Sequence, residues 1–290
     1  MIFPEVDRLY KYQSYNMNSV ASLVNRVSWA AKPSTFNDPF DCAVSLVPEI
    51  DQDSLFELIF QEAYKNGIQG YSKDKIDAIK HQYDSGKFNS IKDPDLEDLC
   101  QTLAKRMAEL IRDIGVVSLS EVNDHILMWS HYADQHRGFC VEFVRNDSNK
   151  LGSNSTLPVR YTEKLPVFSL QTVVKCEPEE RKNYVRSLVL SKAFEWSYER
   201  EWRYLNSYGN CNVDLCSEIS AIIFGARMPE AHKVLIKNLV GKEYTSVKFK
   251  QVQLKQNGFG LEIVDYIPSV PTSLKNNKKR KFEHLLDFDL

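Results

Sequence analysis

The sequence predicts an α+β fold, with a mixed or antiparallel central sheet, flanking helices and a helical insert. Three observations predict it. Short runs that alternate bulky and polar residues occur near both ends of the chain, the period-2 signature of strands with one buried face. Between 51 and 113 that alternation gives way to helical periodicity. The stretch from Ser118 to Phe143, SLSEVNDHILMWSHYADQHRGFCVEF, then passes from strand through helix to a second, apolar strand. One domain over 1–270, with the insert at about 51–113 and a basic tail over 271–290, accommodates all three.

Composition narrows the class. A chain of 290 residues has ample material for a core, and its net charge of -2 carries no global signature for nucleic acid or membrane. The start, MIFPEVDRLYKYQ, lacks the basic and apolar regions of a signal peptide, and no stretch reaches the length of a membrane span. The six cysteines form no CxxC pair, which fits a reduced, cytoplasmic protein with incidental thiols.

Leu9-Tyr10-Lys11-Tyr12 reads as the first strand, and Asn18 or Ser19 as the cap of a short helix through Val24. A second strand covers Val27–Ala30. Lys32-Pro33-Ser34-Thr35-Phe36-Asn37-Asp38-Pro39-Phe40-Asp41 is a rigid turn, pinned by two prolines and two Phe anchors. Asn37, Asp38 and Asp41 either bond the local backbone or converge on a ligand. Ser54–Asn66 is an amphipathic helix, and a second runs from the Asp93 cap and Pro94 to about Asp113. Val116–Ser120 is a strand that sends Ser118 and Ser120 to one face.

In the central stretch, His131 and His136 flank the end of the helix, and Gly138 opens the buried strand Phe139-Cys140-Val141. His125, Met128 and Tyr132 would equally pack one helix face, with Trp129 in the core. Val159–Tyr161 is a short strand and Glu177–Val189 a charged helical region. In Lys192–Leu205 the alternation puts Glu199, Glu201 and Arg203 on one face, with Arg203 expected to pair with Glu199. Ile219–Gly225, the helix Pro229–Val240, and strands at Val247–Leu254 and Leu261–Val264 complete the fold. The run Lys275–Lys281 is basic, and such runs are ordinarily solvated. No phosphate-binding glycine pattern is present.

Four pieces, LYKY at 9–12, FNDPFD at 36–41, MWSHYA at 128–133 with His136-x-Gly138, and WSYE-x-EWR at 196–203, resemble the bacterial and phage-encoded domain-of-unknown-function family 2971. The resemblance runs from Leu9 to about Gly225 and implies no activity. The family's usual Arg after LYKY is Gln13 here. A further likeness is to ADP-ribosyltransferase-like folds, which carry a basic or polar first-strand residue, a central Ser-x-Ser strand and a late Glu-x-Glu. Lys11, Ser118-Leu119-Ser120 and Glu199-Arg200-Glu201 occur in that order, with Lys in place of the usual Arg or His.

That likeness implies an enzyme acting on NAD as substrate, or on a nucleotide, such as a toxin or phage-defence effector with a nucleic-acid or protein acceptor. Catalysis would fall to Glu201, Glu199, His131 and His136. Lys11, Asn37, Asp38, Asp41, Ser118, Ser120, Tyr132 and Arg203 would bind substrate, with Glu201 as the reactive carboxylate and Glu199 in an ion pair. The residues leave two alternatives open. One is a metal-dependent hydrolase or nuclease using Asp38, Asp41, His131, His136 and Glu201, although no HExxH or HxH spacing supports it and no metal is expected. The other is a binding module with a buried polar network.

Overall fold

The computed structural model describes residues 3–51, 53–56, 67, 72–86, 94–241 and 246–268. Most of the expected helix 54–66, the Asp93 cap and the basic tail lie outside the described residues. The fold is α+β, with strands Arg8–Gln13 (β1), Ser28–Ala30 (β2), Ser45–Val47 (β3), Gly115–Ser120 (β4), Phe139–Val144 (β5), Thr156–Pro158 (β6), Arg160–Thr162 (β7), Val167–Ser169 (β8), Ser191–Ala193 (β9), Glu201–Asn206 (β10), Cys211–Val213 (β11), Ile219–Phe224 (β12), Lys248–Leu254 (β13) and Leu261–Asp265 (β14). It is built on an eight-stranded mixed sheet in the order β14-β13-β12-β5-β1-β4-β10-β6, while β2 with β11, β3 with β8 and β7 with β9 form small two-stranded sheets. The pairings within the eight-stranded sheet are antiparallel except β12 with β13. A parallel neighbour requires a crossover, and the helix Glu230–Val240 supplies it.

β1 is the centre of the sheet because the long Ser118–Phe143 stretch straddles it. β4 lies on one side of β1 and β5 on the other, both antiparallel to it, so the chain must cross over β1 between them. The helix Ile126–Tyr132 makes that crossing, and its Trp129 is fully buried edge-on against Tyr12, with ring centroids 5.1 Å apart. Six residue pairs join β1 to β5, but only Tyr10 and Ser120 join β1 to β4. The sheet therefore splits beyond that single pair.

The two faces of the sheet differ in chemistry. Leu9, Val117, Leu119, Phe139, Val141 and Trp202 share the apolar face and form the main core with Leu23 and Ile236. On the opposite face Glu201 is registered with Ser120, and Arg203 with Ser118. Period-2 alternation thus collects two hydroxyls, a carboxylate and a guanidinium on one side of two adjacent strands.

The first helix, Met17–Val24, is capped by Asn16 rather than by Asn18 or Ser19. The Asn16 side chain accepts from Ser19 N at 2.9 Å, and Ser19 Oγ accepts from Asn16 N at 3.1 Å. Ser19 fills the reciprocal third position of a capping box. Helices Lys73–Asp84 and Pro94–Ile111 share a satellite core of Ile50, Leu55, Ile76, Cys100, Leu103 and Leu170. The charged helical region expected at Glu177–Val189 is one helix, Pro178–Val189, and a further short helix, Leu170–Lys175, precedes it. Among the described residues, no helix is long and apolar enough to cross a membrane.

Candidate functional site

The split between β1 and β4 opens into a cavity of about 400 Å³. Its walls carry Tyr10, Lys11 and Tyr12 from β1, Ser118, Leu119 and Ser120 from β4, and Thr35, Phe36, Asn37 and Asp41 from the proline-pinned turn. Met128, His131 and Tyr132 from the crossing helix, with Lys192, Glu199 and Glu201, complete it. Residues separated by most of the chain meet here because the turn and the crossing helix both lie over the polar face of the split.

The floor is a buried ionic cluster of Asp41, Lys192, Glu199, Glu201 and Arg203, each no more than 8% exposed. Arg203 bonds Glu201 Oε1 through Nε at 2.8 Å, and through Nη2 it bonds Asp41 Oδ1 and Oδ2 at 2.7 and 2.8 Å. Its Nη1 donates to Val189 O and Cys42 Sγ. Lys192 Nζ lies 2.5 Å from Glu199 Oε2, 3.0 Å from Glu201 Oε2 and 3.5 Å from Asp41 Oδ2. Tyr132 OH donates to Glu199 Oε1 at 2.5 Å. A cluster so enclosed costs several kcal/mol per ion unless its lone pairs and protons are matched, and here they are.

Local backbone geometry aims these groups. Phe194–Glu199 is a 3-10 helix, not part of a strand, and Arg200 in the left-handed region (φ 44°) turns the chain into β10. Without that reversal Glu199 and Glu201 would sit in strand register; with it, both carboxylates reach one ammonium. Cys42, directly after Asp41, is also left-handed (φ 58°). Non-glycine residues held there cost of order 1–3 kcal/mol and cluster at functional sites.

The two glutamates have opposite protonation behaviour. Burial would raise Glu201, but the Arg203 guanidinium and Lys192 ammonium outweigh it and hold the carboxyl down at about 2. Burial also raises Glu199, and there the Lys192 charge does not fully offset burial plus the negative charge of Glu201. Glu199 is therefore raised above its ordinary value. The expected pairing is thus reversed: Arg203 pairs with Glu201, and Glu199 is the carboxyl able to exchange a proton.

Lys11 also lines the cavity. Burial lowers its ammonium to about 8, even with the negative charge of Glu201 acting the other way. It makes no ion pair among the described residues, and its side chain donates only to Ser118 O, at 3.5 Å. A cation in a cavity without a carboxylate partner is suited to an anionic ligand. His131 lines the same cavity, with its Nδ1 3.1 Å from Tyr198 OH.

Several expected site residues have other work. Ser120 Oγ is buried, donating to Glu199 O at 2.6 Å and accepting from Val122 N, so it braces the glutamate loop. Asp38 does not line the cavity; its carboxylate accepts from Trp196 Nε1 and Phe40 N and locks the turn in place. Trp196 is therefore a half-buried clamp, whereas Trp129 is core. Arg203, fully buried within the floor, does not itself line the cavity. His136 faces a different cavity.

The expected metal set does not assemble either. Asp41 and Glu201 are taken by Arg203 and Lys192, and Asp38 and His136 point elsewhere. Among the described residues, no group of three or more His, Cys, Asp and Glu converges as a metal site. The central residue that the sequence reading passed over is Lys192. Its signal was a lysine inside the apolar run Leu188-Val189-Leu190-Ser191-Lys192-Ala193, where a buried charge requires partners.

No curated protein and no solved structure matches the chain. The LYKY and FNDPFD pieces lie before the segment that does find a family. Over residues 128–204, which carry the crossing helix, Lys192 and the Glu199–Arg203 floor, the chain matches the family described as protein of unknown function (DUF2971).

Proposed function

We propose that the cleft binds NAD or a related nucleotide and breaks its N-glycosidic bond, as an ADP-ribosyltransferase or glycohydrolase. The observation that carries this reading is the meeting of Lys11, Ser118 and the Glu199–Glu201 pair at one cavity. The chemistry of a nucleotide matches that set. Lys11 suits a diphosphate, Tyr10, Tyr12 and Phe36 offer ring faces to a base, and Ser118 and Asn37 offer hydrogen bonds to ribose hydroxyls.

In this mechanism the ribose C1′–N bond breaks, and nicotinamide leaves with the electron pair as a neutral ring. The positive charge passes to the ribose as an oxocarbenium ion, which the ionised Glu201 stabilises from the floor. The acceptor, water or a hydroxyl or amine of a protein or nucleic acid, adds at C1′. Its proton goes to Glu199, the carboxyl in the cluster that titrates upward. Lys192 and Arg203 hold both glutamates at fixed positions throughout.

The test is nicotinamide release from NAD, with NAD binding measured separately by calorimetry. Glu199→Gln keeps the side chain's shape, with its amide oxygen accepting from Lys192 and its NH2 donating to the Tyr132 hydroxyl, and should fold, yet lose turnover by a factor of about 100 or more. Absence of NAD binding, or equal turnover in wild type and variant, overturns the reading. A second reading, a binding module, is favoured by one observation: every carboxylate oxygen of Asp41, Glu199 and Glu201 already has a partner. It is distinguished by nucleotide binding without release.

A further inference from the structure

The His136-x-Gly138 turn, which the cleft does not use, builds a second and larger cavity of about 720 Å³. Its position is informative. Ala226 and Arg227 follow the end of β12, and Gln251, Gln253 and Leu254 lie in the carboxyl half of β13, the parallel neighbour of β12. Open α/β sheets take ligands in the crevice outside the carboxyl ends of their parallel strands, and β12 and β13 are the one parallel pair of this sheet.

The wall formed by residues 134–136 is strained. Asp134, Gln135 and His136 are three consecutive left-handed residues, with φ of 46°, 53° and 70°. L-residues visit that region singly, at a cost of roughly 1–2 kcal/mol each. The surroundings enforce it: Arg227 N donates to His136 O and Gly225 N to Gly138 O, both at 2.9 Å. A Cβ on Gly225 would meet His136 O at 2.2 Å, and one on Gly138 would meet Gln13 O at 2.1 Å. The turn presents Gln135 and His136 to the cavity, with His136 Nε2 3.2 Å from Ser130 Oγ. The imidazole is pushed towards neutrality by burial and by Arg227.

The lining has one sign of charge. Among the described residues no carboxylate lines it, whereas Arg227 and Lys233 do. Lys233 is only 9% exposed; it donates to Gln251 Oε1 at 3.2 Å and lies 3.6 Å from Glu230, so its charge is partly compensated. The Arg227 guanidinium is exposed and, among the described residues, has no side-chain hydrogen bond or ion pair. The amides of Gln135, Gln251 and Gln253 add donors and acceptors between the cations and the apolar Val252 and Leu254.

We infer that this cavity is a second ligand site, separate from the cleft, for a phosphate monoester of mononucleotide size. Arg227 and Lys233 take the phosphate, and the three glutamine amides take the heteroatoms of the organic part. The volume falls within the range of small-molecule sites. A guanidinium with no side-chain partner among the described residues, lining the same cavity as a partly compensated ammonium, suits the charged oxygens of a phosphate.

Calorimetry on the full chain carrying Lys11→Met, which takes the cleft's unpaired cation away, isolates this site. The probes are AMP, inorganic phosphate and adenosine. AMP should bind, phosphate should bind more weakly, and adenosine at least tenfold more weakly than AMP. Adding Arg227→Gln, a surface change, should reduce AMP affinity at least tenfold while the circular dichroism spectrum stays unchanged. No heat with either AMP or phosphate, equal binding of adenosine and AMP, or AMP affinity unaltered by Arg227→Gln overturns the inference. Because Lys11 is absent throughout, failure here leaves the nicotinamide-release test of the cleft untouched.

Discussion

Replacing Lys192 by Met is the most discriminating perturbation of the buried cluster. With every group ionised, Asp41, Glu199 and Glu201 face Lys192 and Arg203, an excess of one negative charge. Lys192→Met raises that excess to two inside a site whose members are nearly inaccessible to water. Breaking a buried ion pair by removing one partner costs about 3–5 kcal/mol. At roughly 2–4 °C per kcal/mol, the melting temperature should fall by about 6–20 °C.

The charge count also fixes the sign of a second change. In Lys192→Met with Glu199→Gln, only Asp41, Glu201 and Arg203 remain charged, and the excess returns to one. The double variant should therefore be more stable than Lys192→Met alone, with a coupling of about 1–3 kcal/mol. Thermal and urea unfolding at neutral pH measure both. Acidification should narrow the gap, because protonating Glu199 does the same work as the amide. A double variant less stable than the single one, or a Lys192→Met loss under about 1 kcal/mol, refutes the charge argument.

Other consequences are as direct. Glu199 has a folded-state pKa above its unfolded value, so the native state binds more protons in that window. Stability should therefore fall as pH rises from the unfolded value through the folded one, and Glu199→Gln should remove that slope in melts between pH 4 and 8. Lys11 keeps its positive charge below its value of about 8 and loses it above. NAD affinity in the cleft should thus drop by up to about tenfold per pH unit beyond that point, and calorimetry with NAD should show that this dependence is lost in Lys11→Met. Trp129→Ala should cost about 3–5 kcal/mol in urea unfolding, since the ring is fully buried. Trp196→Ala should cost clearly less, because it is half-buried and clamps Asp38.

Most of the sheet was legible because its strands obey simple alternation. Leu9–Tyr12, Val116–Ser120 and Phe139–Val141 lie within β1, β4 and β5, and the helix between the last two crosses between them. What alternation cannot show is a reversal of backbone hand. Glu199-Arg200-Glu201 has the polarity pattern of a strand, yet Arg200 is left-handed and residues 194–199 coil as a 3-10 helix. Nothing in the residue types at 134–136 demands three left-handed residues in a row either. That conformation is imposed by Gly225 and Gly138, whose bare backbones make room for neighbouring carbonyl groups far away in sequence. Long-range imposition of this kind leaves a mark only at the glycines.

The cleft was legible to the same degree and for the same reason. Residue types that are costly to bury, such as Asp41, Glu199, Glu201 and Arg203, stood out as soon as they occurred beside aromatic or apolar neighbours. Which of them pair was not legible, because pairing depends on side-chain reach across the turn rather than on position along a strand. On strand parity alone Arg203 had two glutamates within reach, at 199 and 201. Arg200 decided the outcome by rotating Glu199 towards Tyr132 and Lys192, which left Glu201 and Asp41 to the guanidinium. A single left-handed residue thus separates a permanently ionised carboxylate from one that holds its proton more tightly. Divided protonation between two neighbouring carboxyls is what acid–base chemistry requires, so under the proposed reaction Arg200 is the residue that positions the two glutamates for their separate roles. Arg200→Gly keeps the left-handed conformation accessible and should preserve Glu199 titration, whereas a β-branched residue there should abolish it.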